Sequence, residues 1–238
     1  MAVNFVSRRT AMRSYDEESF FHYPWRVHVF MLLPLTAATL FTALTFGWWG
    51  EPVRVAFAVL RTEYPSVTLA LHLVTDFGNP LLYCGYVVLL AQAAHARDMG
   101  RLRDIACFAA ISLLALCIIL QIVKYGLGIP RPGFPWPPQP WISHNYASFP
   151  SGHTANVIVS AIPLAIWIRG VRFRLLLSLL VACMGISRVW LGVHHPADIA
   201  GSIVFGSLAA WCVMRCAALP LFRRLHPSGN SEKAGDVR

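Results

Sequence analysis

Three short stretches of the chain combine basic residues, histidines and a carboxylate in a pattern that suits phosphate chemistry. They are residues 124–132 (KYGLGIPRP), residues 149–153 (FPSGH) and residues 187–198 (SRVWLGVHHPAD). Arginine binds phosphate oxygens through two parallel hydrogen bonds, and lysine contributes a point charge. Histidine can act as a nucleophile or as a proton donor near neutral pH. The three stretches therefore predict a site that binds a phosphoryl group and attacks its phosphorus.

The basic residues of these stretches are Lys124, Arg131 and Arg188. Three cations gathered in one place repel one another unless an anion joins them, and phosphate is the natural anion for this set. Ser151 and Gly152 stand just before an apolar run that predicts a helix. The serine can cap that helix, the glycine allows a ligand to approach closely, and the free N–H groups of the helix start favour an anion.

The histidines and the carboxylate have spacings that predict complementary roles. His194 and Asp198 are four residues apart, and Pro196 between them suits the first turn of the following helix. Asp198 can then hold one imidazole nitrogen of His194, which leaves the other nitrogen free to attack phosphorus. His153, at the start of the preceding helix, can donate a proton to the leaving oxygen. Any one such residue alone is more often a cap or a surface residue, so the prediction rests on their combination.

The elements that must carry these motifs are predicted to be membrane helices. Hydrophobic residues make up 56% of the 238 residues and charged residues only 13%, against roughly 25% in soluble domains. Apolar runs of about twenty residues indicate transmembrane helices. We therefore expect an all-α polytopic membrane protein, with six transmembrane helices in one bundle at residues 27–48, 80–96, 105–123, 154–168, 171–186 and 199–214.

The segment between the first two spans, residues 50–79, is mostly apolar in two places. Residues 52–60 and 67–74 are expected to form short interfacial helices on the outer face of the membrane. Packing of these stretches over the helix bundle is an equally good interpretation. Asp76, just before the second span, is expected to cap that span.

The distribution of basic residues predicts the orientation. With the N-terminus in the cytoplasm, fifteen of the 20 Lys and Arg residues lie inside, which satisfies the positive-inside rule. We therefore expect a cytoplasmic segment at residues 1–24, a six-span domain at 25–218 and a cytoplasmic tail at 219–238. The five outside cations are Arg54, Arg61, Lys124, Arg131 and Arg188.

The basic residues form clusters between apolar runs, which argues against binding of nucleic acid. The six cysteines lie within or beside those runs, which argues against a disulfide framework or a zinc site.

The three motifs together resemble the signature of the type-2 phosphatidic acid phosphatase superfamily, over roughly residues 76–206. The resemblance implies that His194 is a nucleophile that forms a phosphohistidine, that Asp198 orients it, and that His153 is the general acid. It also implies catalysis without a metal or another cofactor. The phosphoryl oxygens would be bound by Lys124, Arg131, Ser151, Gly152 and Arg188.

The family further implies a lipid phosphate or diphosphate substrate, held in the bilayer, and leaves the particular lipid open. Undecaprenyl diphosphate, phosphatidylglycerol phosphate, phosphatidic acid and the phosphate of lipid A are the candidates. A lipid phosphotransferase is an alternative that the sequence does not separate from a phosphatase. A non-enzymatic lipid flippase or binding protein is disfavoured, because every motif position is filled. In a bacterium the expected location is the inner membrane, with a periplasmic site; the oligomeric state stays open.

Overall fold

The computed structural model of the protein describes residues 23–218, and its regular structure in that range is entirely helical. This confirms the all-α prediction for the described residues. A π-helical turn at Leu113–Ile119 joins the fourth helix to the fifth, and a single 3₁₀ turn at His144–Tyr146 lies in the loop before the sixth. The α-helices are α1 (Trp25–Phe46), α2 (Glu51–Glu63), α3 (Pro65–His95), α4 (Met99–Ser112), α5 (Leu120–Leu127), α6 (Gly152–Trp167), α7 (Val171–Trp190) and α8 (Pro196–Ala218).

Five helical stretches in the described range are long and apolar enough to cross a membrane. They are Trp25–Phe46, Pro65–His95, Met99–Leu127, Val171–Trp190 and Pro196–Ala218. Their outward faces carry exposed apolar side chains, for example Phe41, Leu44 and Val171, which are 69–81% exposed. Lipid is the solvent that such faces require, so the chain is an integral membrane protein.

The fourth predicted span corresponds to α6, which is apolar but has only 16 residues. At 1.5 Å per residue it measures about 24 Å, less than the roughly 30 Å of the hydrocarbon core. Most of its side chains are fully buried, and it packs against α3, α7 and α8. A Cβ at Gly206 of α8 would lie 2.9 Å from Ile158, so the glycine permits close contact between α8 and α6. Because neighbouring helices surround α6, it forms the centre of the bundle.

The second span begins earlier than predicted, because α3 is one continuous helix from Pro65 to His95. The stretch at 67–74 is therefore the first part of α3, and the prediction of a separate helix there was wrong. Asp76 lies inside α3 and caps nothing. Pro80 removes one backbone donor without ending the helix, as membrane helices tolerate when neighbours support them. The other predicted stretch, at 52–60, lies within the separate helix α2.

Polar side chains of α3 hold it against α6 on both sides of Pro80. The Asn79 side-chain amide donates to the His153 carbonyl at 3.3 Å, and the Tyr86 hydroxyl donates to the Ser160 carbonyl at 2.9 Å. Between these two contacts, the Tyr83 hydroxyl donates to the Asn156 side chain at 2.7 Å. These bonds explain why the helix persists where the sequence indicated a break.

The predicted cytoplasmic segments fall at the edges of the described range. Residues 1–22 and 219–238 lie outside the described residues, so the first segment is represented only by Tyr23 and Pro24. Tyr23 donates its hydroxyl to Nδ1 of His28 at 2.6 Å, which fixes the chain at the start of α1.

Candidate active site

The eight residues singled out by their motifs gather at one end of the bundle. Lys124 lies near the end of α5, and Arg131 follows in the loop. The Arg131 guanidinium donates to the Val193 carbonyl at 3.3 Å, beside His194. The start of α6 meets the start of α8 where Ser151 N–H donates to the Asp198 carbonyl at 3.2 Å. The remaining members are Gly152 and His153 at the start of α6 and Arg188 near the end of α7.

His194 and Asp198 form a buried pair. Nδ1 of His194 lies 3.1 Å from Oδ2 of Asp198, and the side chains are 2% and 0% exposed. The pairing follows from the local sequence: residues 191–195 form the turn before α8, and Asp198 lies in its first turn. With Nδ1 engaged by the carboxylate, Nε2 is the nitrogen of His194 available for chemistry.

The electrostatic environment keeps His194 neutral. Burial, reinforced by Lys124, Arg131 and Arg188, holds the pKa of His194 well below its ordinary value of 6.5. A neutral imidazole has a free lone pair on Nε2, which nucleophilic attack requires. The arrangement therefore supplies an unprotonated nitrogen beside a cluster of cations.

The adjacent histidine, His195, is engaged differently. Its Nε2 lies 3.2 Å from the Pro130 carbonyl, its Nδ1 accepts from Gly50 N–H at 3.4 Å, and its ring packs on Trp49. Both ring nitrogens are thus committed to the backbone. His195 ties the loop after α5 to the start of α2.

The cations of the site have few anionic partners. Lys124 is 6% and Arg188 is 9% exposed, and neither makes an ion pair within 4 Å among the described residues. Nε of Arg188 is buried without a hydrogen-bond partner. Buried cations cost several kcal/mol unless paired. The site is therefore built to receive an anion.

Arg131, the third cation, is held in place by the loop that follows it. Its Nη2 lies 2.9 Å from Nε2 of His144, and its Nε donates to the His144 carbonyl at 3.2 Å. The guanidinium thus bridges the loop at 131–147 and the turn that carries His194.

The start of α6 provides an open backbone surface. Ser151 precedes the helix, but its side chain makes no capping hydrogen bond; its hydroxyl accepts instead from Thr154 Oγ1 at 3.1 Å. Ser151 therefore occupies the predicted N-cap position, but its side chain does not make the capping hydrogen bond. A Cβ at Gly152 would lie 4.0 Å from Nζ of Lys124, so this backbone lies beside the cation. His153, in the first turn of α6, is exposed, unlike His194.

Ser148 is a member of the cluster that sequence reasoning missed. Its hydroxyl donates to Oδ2 of Asp198 at 2.5 Å and lies 3.4 Å from Nδ1 of His194. It is completely buried. The only sequence signal is a hydroxyl residue two positions before Pro150, and serine is too common for that to be diagnostic.

A cleft of about 490 Å³ opens beside the cluster, between the start of α2 and the loop after α5. Arg131 and His195 form its inner wall. The aromatic residues of the loop after α5 take two different positions. Trp136 lines this cleft and packs edge-on against Trp49, whereas Trp141 is 65% exposed and stacks on Tyr125. The loop thus contributes one aromatic side chain to the cleft and one to the outer surface.

Comparison with known proteins gives a family and two relatives. The undecaprenyl-diphosphatase BcrC of Bacillus subtilis is 31% identical over 91 residues, 34% of this chain and 46% of that protein. The lipid A 1-phosphatase of Rhizobium etli is 32% identical over 102 residues, 38% of this chain and 42% of that protein. The chain thus spans less than half the length of these relatives, and no solved structure matches it significantly. Residues 105–220, which contain all three motifs, match the PAP2 superfamily, so this part of the chain is a PAP2 superfamily domain.

Proposed function

We propose that the protein hydrolyses a lipid phosphate or diphosphate through a phosphohistidine on His194, without a metal. The observation that carries the proposal is the buried His194–Asp198 pair, with Nε2 available, beside cations that make no ion pair within residues 23–218. The cations and the N–H groups at the start of α6 neutralise the phosphoryl oxygens, as metal ions do in other phosphoryl-transfer sites. Lys124, Arg131, Ser151, Gly152 and Arg188 hold the phosphoryl group.

In the first step the lone pair on Nε2 of His194 attacks phosphorus, and the bond between phosphorus and the leaving oxygen breaks. The leaving oxygen takes its proton from His153. Asp198 accepts a hydrogen bond from Nδ1–H and stabilises the positive charge that forms on the ring. The product of this step is a phosphohistidine and a free lipid alcohol or monophosphate.

In the second step a water oxygen attacks phosphorus and gives its proton to His153. The bond between phosphorus and Nε2 breaks, and its electron pair returns to the ring. Phosphate then leaves. The cleft beside Arg131 and His195 provides a route by which water and phosphate exchange with the outside.

A lipid substrate is supported by the membrane setting of the site and by the names of the two relatives. The cations lie near helix ends, so a lipid can keep its chain in the bilayer while its phosphate enters between helices. Chain burial contributes roughly 0.8 kcal/mol per CH₂. Long-chain phosphates should therefore have a much higher kcat/KM than soluble esters with similar headgroups, and equal values would contradict a lipid substrate.

The proposal includes an arrangement in the membrane. Residues 25–218 form a six-span phosphatase domain in which α6 is the fourth span, in addition to the five longer ones, and α2 lies at the interface on the outer face. Residues 1–24 and 219–238 are cytoplasmic, and the site faces outward, which is the periplasm in a bacterial inner membrane. The excess of basic residues on the other side supports this orientation.

The decisive assay measures phosphate release from a panel of long-chain lipid phosphates in detergent with excess chelator. We expect release to persist, His194→Ala to abolish it, and His95→Ala, at the exposed end of α3, to leave it unchanged. Substantial release by folded His194→Ala protein would contradict the nucleophile. Activity lost to the chelator and restored by magnesium would contradict metal-free catalysis, and transfer to an added alcohol without phosphate release would indicate a phosphotransferase.

A further inference from the structure

The carboxylate of Asp198 is hydrogen-bonded in a one-sided way. Its Oδ2 accepts from three donors: Ser148 Oγ at 2.5 Å, His195 N–H at 2.8 Å and His194 Nδ1 at 3.1 Å. Its Oδ1 is buried and has no hydrogen-bond partner among the residues that the structure describes. The three donors therefore compete for the negative charge of a single oxygen.

The hydrogen bond from Ser148 is the shortest of the three, and Ser148 itself has a fixed position. Its backbone N–H donates to the Ile129 carbonyl at 3.0 Å, and the residue is 0% exposed. Its hydroxyl also lies 3.4 Å from Nδ1 of His194, so the hydroxyl, the carboxylate oxygen and the imidazole nitrogen lie around a common centre. Any change in the Ser148 hydrogen bond therefore acts directly on the bond between Asp198 and His194.

We propose that Ser148 is a positioning residue that weakens the hydrogen bond between Asp198 and Nδ1 of His194 and so speeds hydrolysis of the phosphohistidine. This inference rests on the proposed function, and it assigns to the same site a control over its second step. A hydrogen bond donated to a carboxylate draws away part of its negative charge. With Ser148 in place, Asp198 is a weaker acceptor for Nδ1–H of His194 than it would be alone.

The two chemical steps respond in opposite directions to this weakening. A stronger Asp198 acceptor makes Nε2 a better nucleophile, which favours formation of the bond between nitrogen and phosphorus. It also makes the ring a poorer leaving group when water attacks phosphorus and the electron pair returns to Nε2. Loss of the Ser148 hydroxyl should therefore leave phosphorylation intact and slow dephosphorylation.

The test compares Ser148→Ala with the unsubstituted protein under steady turnover of a long-chain lipid phosphate. Rapid quenching measures the fraction of enzyme present as phosphohistidine. For loss of a hydrogen bond to a charged group we expect kcat to fall about tenfold. KM should fall with it, so that kcat/KM stays nearly unchanged, and the phosphohistidine fraction should rise.

Ser178→Ala is the matched control, because Ser178 is also buried and its hydroxyl donates to the carbonyls of Phe30 and Met31, away from the site. It should leave kcat, KM and the phosphohistidine fraction unchanged. Ser148→Cys, with a weaker donor of nearly the same size, should give a phosphohistidine fraction between those of the serine and alanine proteins. It provides the measurement if Ser148→Ala does not fold.

A fall in kcat/KM equal to the fall in kcat, without accumulation of phosphohistidine, would show that Ser148 only supports the structure and would overturn the inference. An unchanged phosphohistidine fraction in both Ser148 variants would do the same. In either case the proposed function stands, provided that the unsubstituted protein forms phosphohistidine. Absence of phosphohistidine in the unsubstituted protein would instead remove the proposed function, and this inference with it.

Discussion

Replacing Asp198 by asparagine tests whether its charge, and not only its shape, supports the chemistry at His194. The amide keeps the size of the carboxylate, but it carries no negative charge for the three donors that meet at Oδ2. If the amide oxygen takes that place, the ring of His194 loses its counter-charge as it becomes cationic. If the amide nitrogen takes the place of Oδ2, the three donors meet another hydrogen-bond donor and have no acceptor. Both outcomes remove a buried charge partner.

The size of the effect follows from the burial of the pair. His194 is 2% and Asp198 is 0% exposed, so little solvent screens their interaction. Removing one partner of a buried pair costs about 3–5 kcal/mol. If that cost falls on the transition state for phosphorylation, kcat should fall by about 10² to 10⁴, at 1.36 kcal/mol per factor of ten.

The measurement is the pre-steady-state rate of phosphohistidine formation after rapid mixing with a lipid phosphate. Asp104→Asn is the matched control, because Asp104 pairs with Arg103 at 2.9 Å on α4 and takes no part in the site. The control should react at the normal rate. A loss of less than about tenfold in folded Asp198→Asn protein would refute the reasoning that the charge of Asp198 stabilises the cationic ring.

Three further predictions concern acid pH, anion binding and topology. Because the pKa of His194 in the folded protein lies well below 6.5, the nucleophile stays neutral as the pH falls through 6.5. We therefore expect kcat/KM, corrected for titration of the substrate and of the proton donor His153, to persist there and to decline only at more acidic pH, whereas a decline centred at 6.5 would contradict this. Vanadate should stabilise the folded protein by up to about 2.7 kcal/mol at a hundred times its Kd, which is measured as a rise in the thermal unfolding midpoint in detergent. Arg188→Lys should reduce that rise because lysine lacks the bidentate fork of arginine. Equal rises in both proteins would exclude Arg188 from the anion site. A cysteine at Ile142, which is 68% exposed, should react with an impermeant reagent on intact cells, and one at Met99, 53% exposed, only after permeabilisation; the reverse pattern would invert the topology.

The sequence was sufficient to predict which residues come together. Lys124, Arg131, His153, Arg188 and His194 are spread over seventy residues of chain, yet each stands within two residues of a Gly, Pro or Ser near the end of an apolar run. In a membrane protein the ends of successive runs alternate between the two faces, so the motif ends had to meet on one face. The order of the apolar runs along the chain was therefore enough to predict that the site lies on one face of the membrane.

The parts that could not be predicted depend on contacts between distant residues. Pro80 indicated a helix start, but bonds from Asn79 and Tyr86 to α6 keep α3 continuous, and only the folded bundle brings those partners together. Ser148 was missed for the same reason, because its partner Asp198 is fifty residues away. Local patterns specify helices and caps, whereas such side-chain partners follow from the packing of the whole chain.

The π-helical turn at Leu113–Ile119 has a consequence for how this protein and its relatives can differ in length. Hydrogen bonds in such a turn join residues five apart, so it accommodates one more residue than an α-helical turn. Loss of one residue there would convert the turn to an α-helix, while α4 and α5 keep their directions. Lys124, in α5, would then keep its position in the candidate site. We therefore expect insertions and deletions in the third span of related proteins to occur at this turn, where a change in length leaves the position of Lys124 unaltered.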